Sequence, residues 1–242
     1  MSEPYCSSYD IRPYERNQSG SVPFYQLSNF LQDIAGLHAT ALGWSVDALL
    51  QEGKSWVLSR MNIDIDEPVT ATDRRLLLKT WPCGADRMYA YRAFTLEREG
   101  GHRIGKALTY WVLLDVAKRR PVPMPQEIAD LAGAYPEPPI SVTKNRLELP
   151  AQQNRVFSVR VLPSDLDING HVNNAVYIRW IEDALHMYQL DPAGFKRLDV
   201  LYKAEVKLQE TVEVILDQSN PEVVQIGVVR GEDPVCIAEL RR

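Results

Sequence analysis

Apolar residues recur at three- and four-residue steps in two stretches of this chain, each preceded by one strand-like run and followed by several. The first series predicts a strand over residues 9–16, a loop over 17–22 and a long helix over 23–43. In that helix Leu27, Phe30, Leu31, Ile34, Leu37, His38 and Ala41 share one side, with Asn29, Gln32, Asp33 and Thr40 opposite. Pro23 suits a first helical turn, where a missing N–H costs no bond. A short helix is predicted over 46–51. Four strands follow over 54–66, 74–81, 87–98 and 104–117, rich in β-branched or aromatic residues and punctuated by Pro68, Gly84 and Gly100-Gly101.

The second series repeats the order. A strand over 154–162 leads to a polar loop and a helix over 172–188, then strands over 199–208, 211–217, 223–229 and 235–241. Aligning Gly170 on Gly20 puts Val172 on Val22, Trp180 on Phe30, Ile181 on Leu31 and Asp183 on Asp33. Between the halves, residues 119–150 hold six prolines before Pro150 (Pro121, Pro123, Pro125, Pro136, Pro138 and Pro139), and one short helix is predicted over 126–131. This stretch reads as a semi-rigid connector. In the second long helix Arg179, Glu182, Asp183 and His186 form one narrow polar stripe, wet or interfacial, on an otherwise apolar element.

Composition narrows the function classes. A chain of 242 residues holds one large domain or two small ones, and its net charge of −5 argues against a generic nucleic-acid binder. Cys6, Cys83 and Cys236 are scattered and odd in number, which suggests neither a disulfide framework nor a metal site and points to a reducing compartment, the cytoplasm. No secretory leader and no apolar run long enough to span a membrane is read.

The densest chemistry lies in Asp165-Leu-Asp-Ile-Asn-Gly-His-Val-Asn-Asn174, with two carboxylates, three carboxamides and one imidazole around a single glycine. A loop that opens a helix offers unpaired N–H groups and a positive dipole end to an electron-rich ligand. Each residue alone has an ordinary structural reading, as a cap, a braced histidine or a solvated turn. Together they read as an active site. At the alignment given above the reactive positions do not repeat: Asp167 faces Asn17, Asn169 faces Ser19 and His171 faces Ser21.

Residues 165–180, DLDINGHVNNAVYIRW, closely resemble the Asp-x-Asn-x-His-Val-Asn-Asn signature of the acyl-acyl-carrier-protein thioesterases of plants and bacteria. Leu201-Tyr-Lys-Ala-Glu205 resembles the strand that ends in that family's functional glutamate. In the first half residues 41–50, 55–60 and Lys79-Thr-Trp-Pro82 are also similar, so the resemblance covers nearly the whole chain. It implies an α+β tandem double hotdog, each half a long central helix wrapped by an antiparallel sheet. The expected domains are 1–120, degenerate and binding the acyl chain, a linker over 121–150, and a catalytic 151–242.

The resemblance further implies Asp167, Asn169, His171 and Glu205 as the catalytic set. Its expected activity is hydrolysis of fatty acyl-acyl carrier protein, which releases free fatty acid and ends chain elongation. The partner implied is acyl carrier protein bearing a phosphopantetheine-linked chain, with no cofactor, metal, nucleic acid or membrane span. Either a monomer with two pseudo-equivalent halves or a homodimer fits. Many plant members carry a cysteine directly after the glutamate; here Val206 stands there, so the chemistry expected is that of carboxylates.

Thioester hydrolysis needs an activated nucleophile and donors for the oxyanion. Asp167 and Glu205 offer the carboxylates, Asn169 an amide, and His171 a donor or proton carrier. Backbone N–H groups at His171 and Val172 are candidate oxyanion donors, and Gly170 is a point of close backbone approach. Phe24, Leu27, Phe30, Leu31, Ile34 and Trp56 are candidates to line an acyl slot. Arg74-Arg75 and Lys118-Arg119-Arg120 are candidates for docking an acidic carrier protein. The alternatives are an acyl-coenzyme A thioesterase of the same fold and a non-catalytic acyl-thioester sensor.

Overall fold

The computed structural model describes residues 2–242, which fold as two compact units. The N-terminal unit takes the chain up to Val22 and again Leu27–Thr143; the C-terminal unit takes Pro23–Gln26 and Lys144–Arg242.

The N-terminal unit contains β1 (Tyr5–Asp10), the long helix α1 (Phe24–Ala41, from Leu27 onward), α2 (Val46–Gln51), β2 (Lys54–Ile65), β3 (Arg75–Ala85), β4 (Ala90–Arg98), β5 (Arg103–Asp115), β6 (Arg120–Val122) and α3 (Gln126–Ala132). The sheet is antiparallel in the order β1-β3-β4-β5-β2, with β6 on β5. Strand β1 grips α1 through aromatic side chains. The Tyr9 ring lies 5.1 Å from Phe30 and its hydroxyl donates to Asp33 at 2.6 Å, while Tyr5 stacks on His38 at 5.1 Å. Leu31 and Ile34 of the helix, with Met61, Leu76, Leu78 and Phe94 of the sheet, are fully buried. Each such side chain contributes about 1.5–3 kcal/mol on leaving water.

The first strand lies earlier than the predicted 9–16. Its ladder closes with Ile11 N–H on the Arg74 carbonyl, after which Pro13, which has no amide, begins a 3-10 turn ending at Glu15. Much of the proline-rich stretch is also not a free connector. Besides β6, the Trp81 indole donates to the Pro136 carbonyl at 2.9 Å, and Thr143 N–H donates to the Tyr110 hydroxyl at 2.9 Å. Prolines lack donors but keep their carbonyls, so such a segment can cover a sheet by accepting bonds from its side chains.

The C-terminal unit contains β7 (Asn154–Arg160), α4 (Asn174–Met187), β8 (Arg197–Tyr202), β9 (Thr211–Asn220), β10 (Val223–Arg230) and β11 (Asp233–Arg241), paired antiparallel as β8-β11-β10-β9-β7. Asn173 caps α4 by accepting Ala175 N–H, and the helix buries Tyr177, Ile178, Trp180, Ile181 and Leu185. Strand β8 stops six residues short of the predicted end. Lys203 and Ala204 both turn their N–H groups onto one carbonyl, Val235, so the ladder cannot continue and 203–210 becomes a loop.

The polar stripe of α4 is not uniformly wet. Asp183 and His186 are exposed, but Glu182 is 5% exposed and accepts Phe24 N–H at 2.8 Å and Tyr25 N–H at 3.1 Å. Those amides belong to the four-residue segment that packs with this unit. Burial pushes the Glu182 carboxyl up to about 7, and the two N–H bonds pull against that shift. Among the described residues no helix is long and apolar enough to cross a membrane.

Candidate active site

The loop before α4 is built outward from Asp165. This buried carboxylate accepts Leu162 N–H at 2.9 Å and the Arg179 guanidinium at 2.6 Å, while its carbonyl accepts Asn173 N–H at 2.9 Å. Two residues on, Asp167 organises a second, tighter turn. Its Oδ1 accepts the N–H groups of Asn169 (2.8 Å) and His171 (3.3 Å), and its Oδ2 lies 3.4 Å from the Asn169 amide nitrogen. Gly170 N–H donates to the Asp167 carbonyl at 3.0 Å. Gly170 has a φ of +76°, and a Cβ there would meet nothing within 4 Å. Its glycine therefore serves the left-handed turn, and no neighbouring protein atom requires it.

The turn delivers His171 to the loop after β8. The His171 Nε2 lies 3.2 Å from Glu205 Oε2, with the two side chains 22% and 33% exposed. Glu205 thus stands on a loop and not on the predicted strand. That loop is stitched to the start of α4: Val172 N–H donates to the Val206 carbonyl at 2.9 Å, and His171 pairs with Lys207 as an antiparallel bridge. Val206 N–H donates to the buried Tyr177 hydroxyl.

The predicted set is therefore gathered in one place, with Asn169 exposed on its rim. The backbone donors are committed elsewhere. His171 N–H serves Asp167 and Val172 N–H serves Val206, so neither is the oxyanion donor anticipated from sequence. The physical reason is loop closure: a buried amide must find a partner, and here the nearest are within the fold.

The N-terminal unit keeps the same turn without its chemistry. Ser19 N–H (3.1 Å) and Ser21 N–H (3.0 Å) donate to Asn17 Oδ1, Gly20 has a φ of +82°, and Val22 N–H reaches the Val69 carbonyl at 3.1 Å. Matching Val69 to Val206 puts Pro68 where the C-terminal unit has Glu205.

What the N-terminal unit has instead is a cavity of about 250 Å³, lined by Ala35, Gly36 and Ala39 of α1 and by Trp44, Trp56 and Trp111. Small residues on that face of the helix leave the space open, and a Cβ on Gly36 would meet nothing within 4 Å. Phe30 and Ile34, proposed from sequence as chain-binding, point into the packed core and do not line it. The sequence carried the signal in Ala35, Gly36 and Ala39, but it is easily read as mere core. Arg92 also reaches this wall. Its Nη1 lies 3.0 Å from His38 Nδ1 and 3.3 Å from Thr80 Oγ1, and burial, reinforced by Arg92, pushes the His38 ring down to about 4. His38 is therefore neutral and accepts from Arg92.

Known proteins resemble the chain along its length. Residues 2–132 match the family model for the acyl-ACP thioesterase N-terminal domain, and 148–231 match the model for the C-terminal domain. The chain is 26% identical over 238 residues to oleoyl-acyl carrier protein thioesterase 2, chloroplastic, of Arabidopsis thaliana, covering 91% of this chain and 64% of that protein. It thus spans a little under two thirds of the length of this curated relative. The solved structure of an acyl-ACP thioesterase from Bacteroides thetaiotaomicron superposes with a TM-score of 0.88 at 26% identity, covering 100% of this chain and 99% of that one. The 12:0-ACP thioesterase from Umbellularia californica superposes at 0.84 with 17% identity, covering 98% and 96%, a likeness of fold alone. The fold is α+β, a tandem double hotdog. Since the two family models between them take in both the empty turn of the first half and the polar turn of the second, this chain belongs to the acyl-ACP thioesterase family.

Proposed function

We propose that the protein hydrolyses the thioester of fatty acyl-acyl carrier protein, releasing free fatty acid and so ending chain elongation. The observation that carries this reading is the 3.2 Å contact between His171 Nε2 and Glu205 Oε2, beside a turn organised by Asp167. Family membership supports it. Asp167 holds the turn and presents Asn169. Glu205 takes a proton from water as that water attacks the thioester carbonyl. His171, in contact with Glu205, carries the proton to the departing phosphopantetheine sulfur, leaving a carboxylic acid and a thiol. The exposed Asn169 amide faces the solvent side, where it donates to the carbonyl oxygen as negative charge develops.

Thiol chemistry has little support. Burial pushes the Cys83 thiol up to about 12 and raises the buried Cys236 as well, so neither supplies a thiolate near neutral pH. The apolar cavity of the N-terminal unit takes the acyl chain in this reading, which makes residues 1–120 the chain-binding half and 151–242 the catalytic half. Carrier protein, which is acidic, docks on basic surface. Arg74, Arg119 and Arg120 are exposed, as are Arg75, which pairs with Asp10 and Glu99, and Lys118, which pairs with Asp115. Three free thiols suit a reducing compartment, and we place the protein in the cytoplasm.

The test is hydrolysis of one acyl group carried on acyl carrier protein and on coenzyme A. Faster release from the carrier protein is expected. A strong preference for coenzyme A would make the protein an acyl-coenzyme A thioesterase, and tight acyl binding without release would make it a sensor.

A further inference from the structure

The loop that carries Glu205 is held by an ion pair outside the signature. Arg230, the last residue of β10, directs Nη1 to the Glu205 carbonyl at 3.3 Å and to both Glu210 carboxylate oxygens at 3.1 Å. Glu210 Oε2 in turn accepts Lys207 N–H at 2.7 Å, and Lys207 is the residue bridged to His171. One pair therefore ties the carbonyl before Val206 and the amide after it. Val206 itself is pinned on both sides, by Val172 N–H and by the Tyr177 hydroxyl. The backbone on both sides of Val206, directly after Glu205, is thereby held.

We propose that Arg230 and Glu210 are positioning residues for the thioester hydrolysis, setting the Glu205 carboxylate against His171; this rests on the function proposed above. The N-terminal unit carries the same brace with nothing to position. Arg98 Nη2 donates to the Pro68 carbonyl at 3.1 Å and its Nε to Asp73 at 2.8 Å, while Asp73 accepts Thr70 N–H at 2.8 Å. Pro68 occupies the place of Glu205. The brace is thus a property of the loop, and in the C-terminal unit the carbonyl it holds belongs to a candidate catalytic residue. The Arg230 and Glu210 side chains are 38% and 34% exposed, and pairs so open to water add little to global stability. Positioning is what remains for them to do.

The test uses the full chain with Arg230→Met, Glu210→Gln, the conservative Arg230→Lys, and Arg98→Met as the matched change in the other half. Steady-state hydrolysis of one acyl-acyl carrier protein is measured, together with hydrogen exchange at the Val206 and Lys207 amides. Arg230→Met and Glu210→Gln should each lower kcat by about 10- to 100-fold, the scale of a misplacement near 1 Å, with KM nearly unchanged and faster exchange at both amides. Arg230→Lys should restore most of kcat. Arg98→Met should speed exchange in residues 68–73 and leave kcat near that of the parent. A parent-like kcat in Arg230→Met and Glu210→Gln, or an equal loss in Arg98→Met, would overturn the proposal. A parent chain that hydrolyses nothing would instead defeat the proposed function. The exchange arm then decides the brace, and unchanged exchange at Val206 and Lys207 overturns it.

Discussion

Replacing Glu182 with Gln gives a stability test whose sign changes with pH. The parent carboxyl is buried, accepts two backbone N–H groups and has its pKa raised from 4.5 to about 7. Folding therefore favours its protonated form. Its contribution is fully present below pH 4.5 and is lost as pH rises through 7. A shift of this size corresponds to about 3 kcal/mol. Glutamine does not titrate, so it escapes that loss, but its NH2 group cannot accept an N–H as the second carboxyl oxygen does even when protonated. Leaving that N–H unpaired costs about 1–3 kcal/mol. At pH 5 the variant should thus be less stable than the parent. By pH 8 the gap should close or reverse, a relative change of about 3 kcal/mol, or roughly 6–12 °C in Tm for a chain of this length. Urea unfolding of both proteins at pH 5, 6 and 8 measures it, since other titrating groups cancel in the difference. A gap that stays constant across that range would refute the reasoning and mean that Glu182 keeps an ordinary carboxyl environment.

Asp167→Asn keeps the Oδ1 acceptor for Asn169 and His171, so the turn should survive; loss of the carboxylate should lower turnover by about 10²-fold or more, read as kcat with folding checked by circular dichroism. Glu205→Ala should lose a similar factor, and parent-like turnover would remove Glu205 from the mechanism. Cys83→Ser and Cys236→Ser should leave kcat near that of the parent, and inactivation of either would restore a thiol to the chemistry. Gly36→Leu replaces a poor helix former and fills the cavity of the N-terminal unit, so products released in a bacterial host should shift to shorter chains by mass spectrometry; an unchanged profile would separate that cavity from the acyl chain.

Residue order alone fixed much of this protein. Helix α2 has the predicted ends, Val46–Gln51, and β2 misses by one residue at Ile65, because periodicity and punctuation are local. The repeat was legible too: Gly20 and Gly170 both take a left-handed φ, and the polar turn at Asp167 and the empty one at Asn17 close with the same bonds. What stayed hidden depends on partners distant along the chain. Glu182 looks like one more residue on a wet or interfacial stripe until Phe24 and Tyr25 bring their amides to it. Phe30 and Ile34 look like a ligand wall until packing turns Ala35, Gly36 and Ala39 to the open side instead. Two N–H groups converging on Val235 end β8, and nothing in the composition of 199–208 announces it. The order of side chains sets which faces are apolar and which turns are possible. Which buried polar group meets which amide is settled only when the sheet closes, because an unpaired one is too costly to leave.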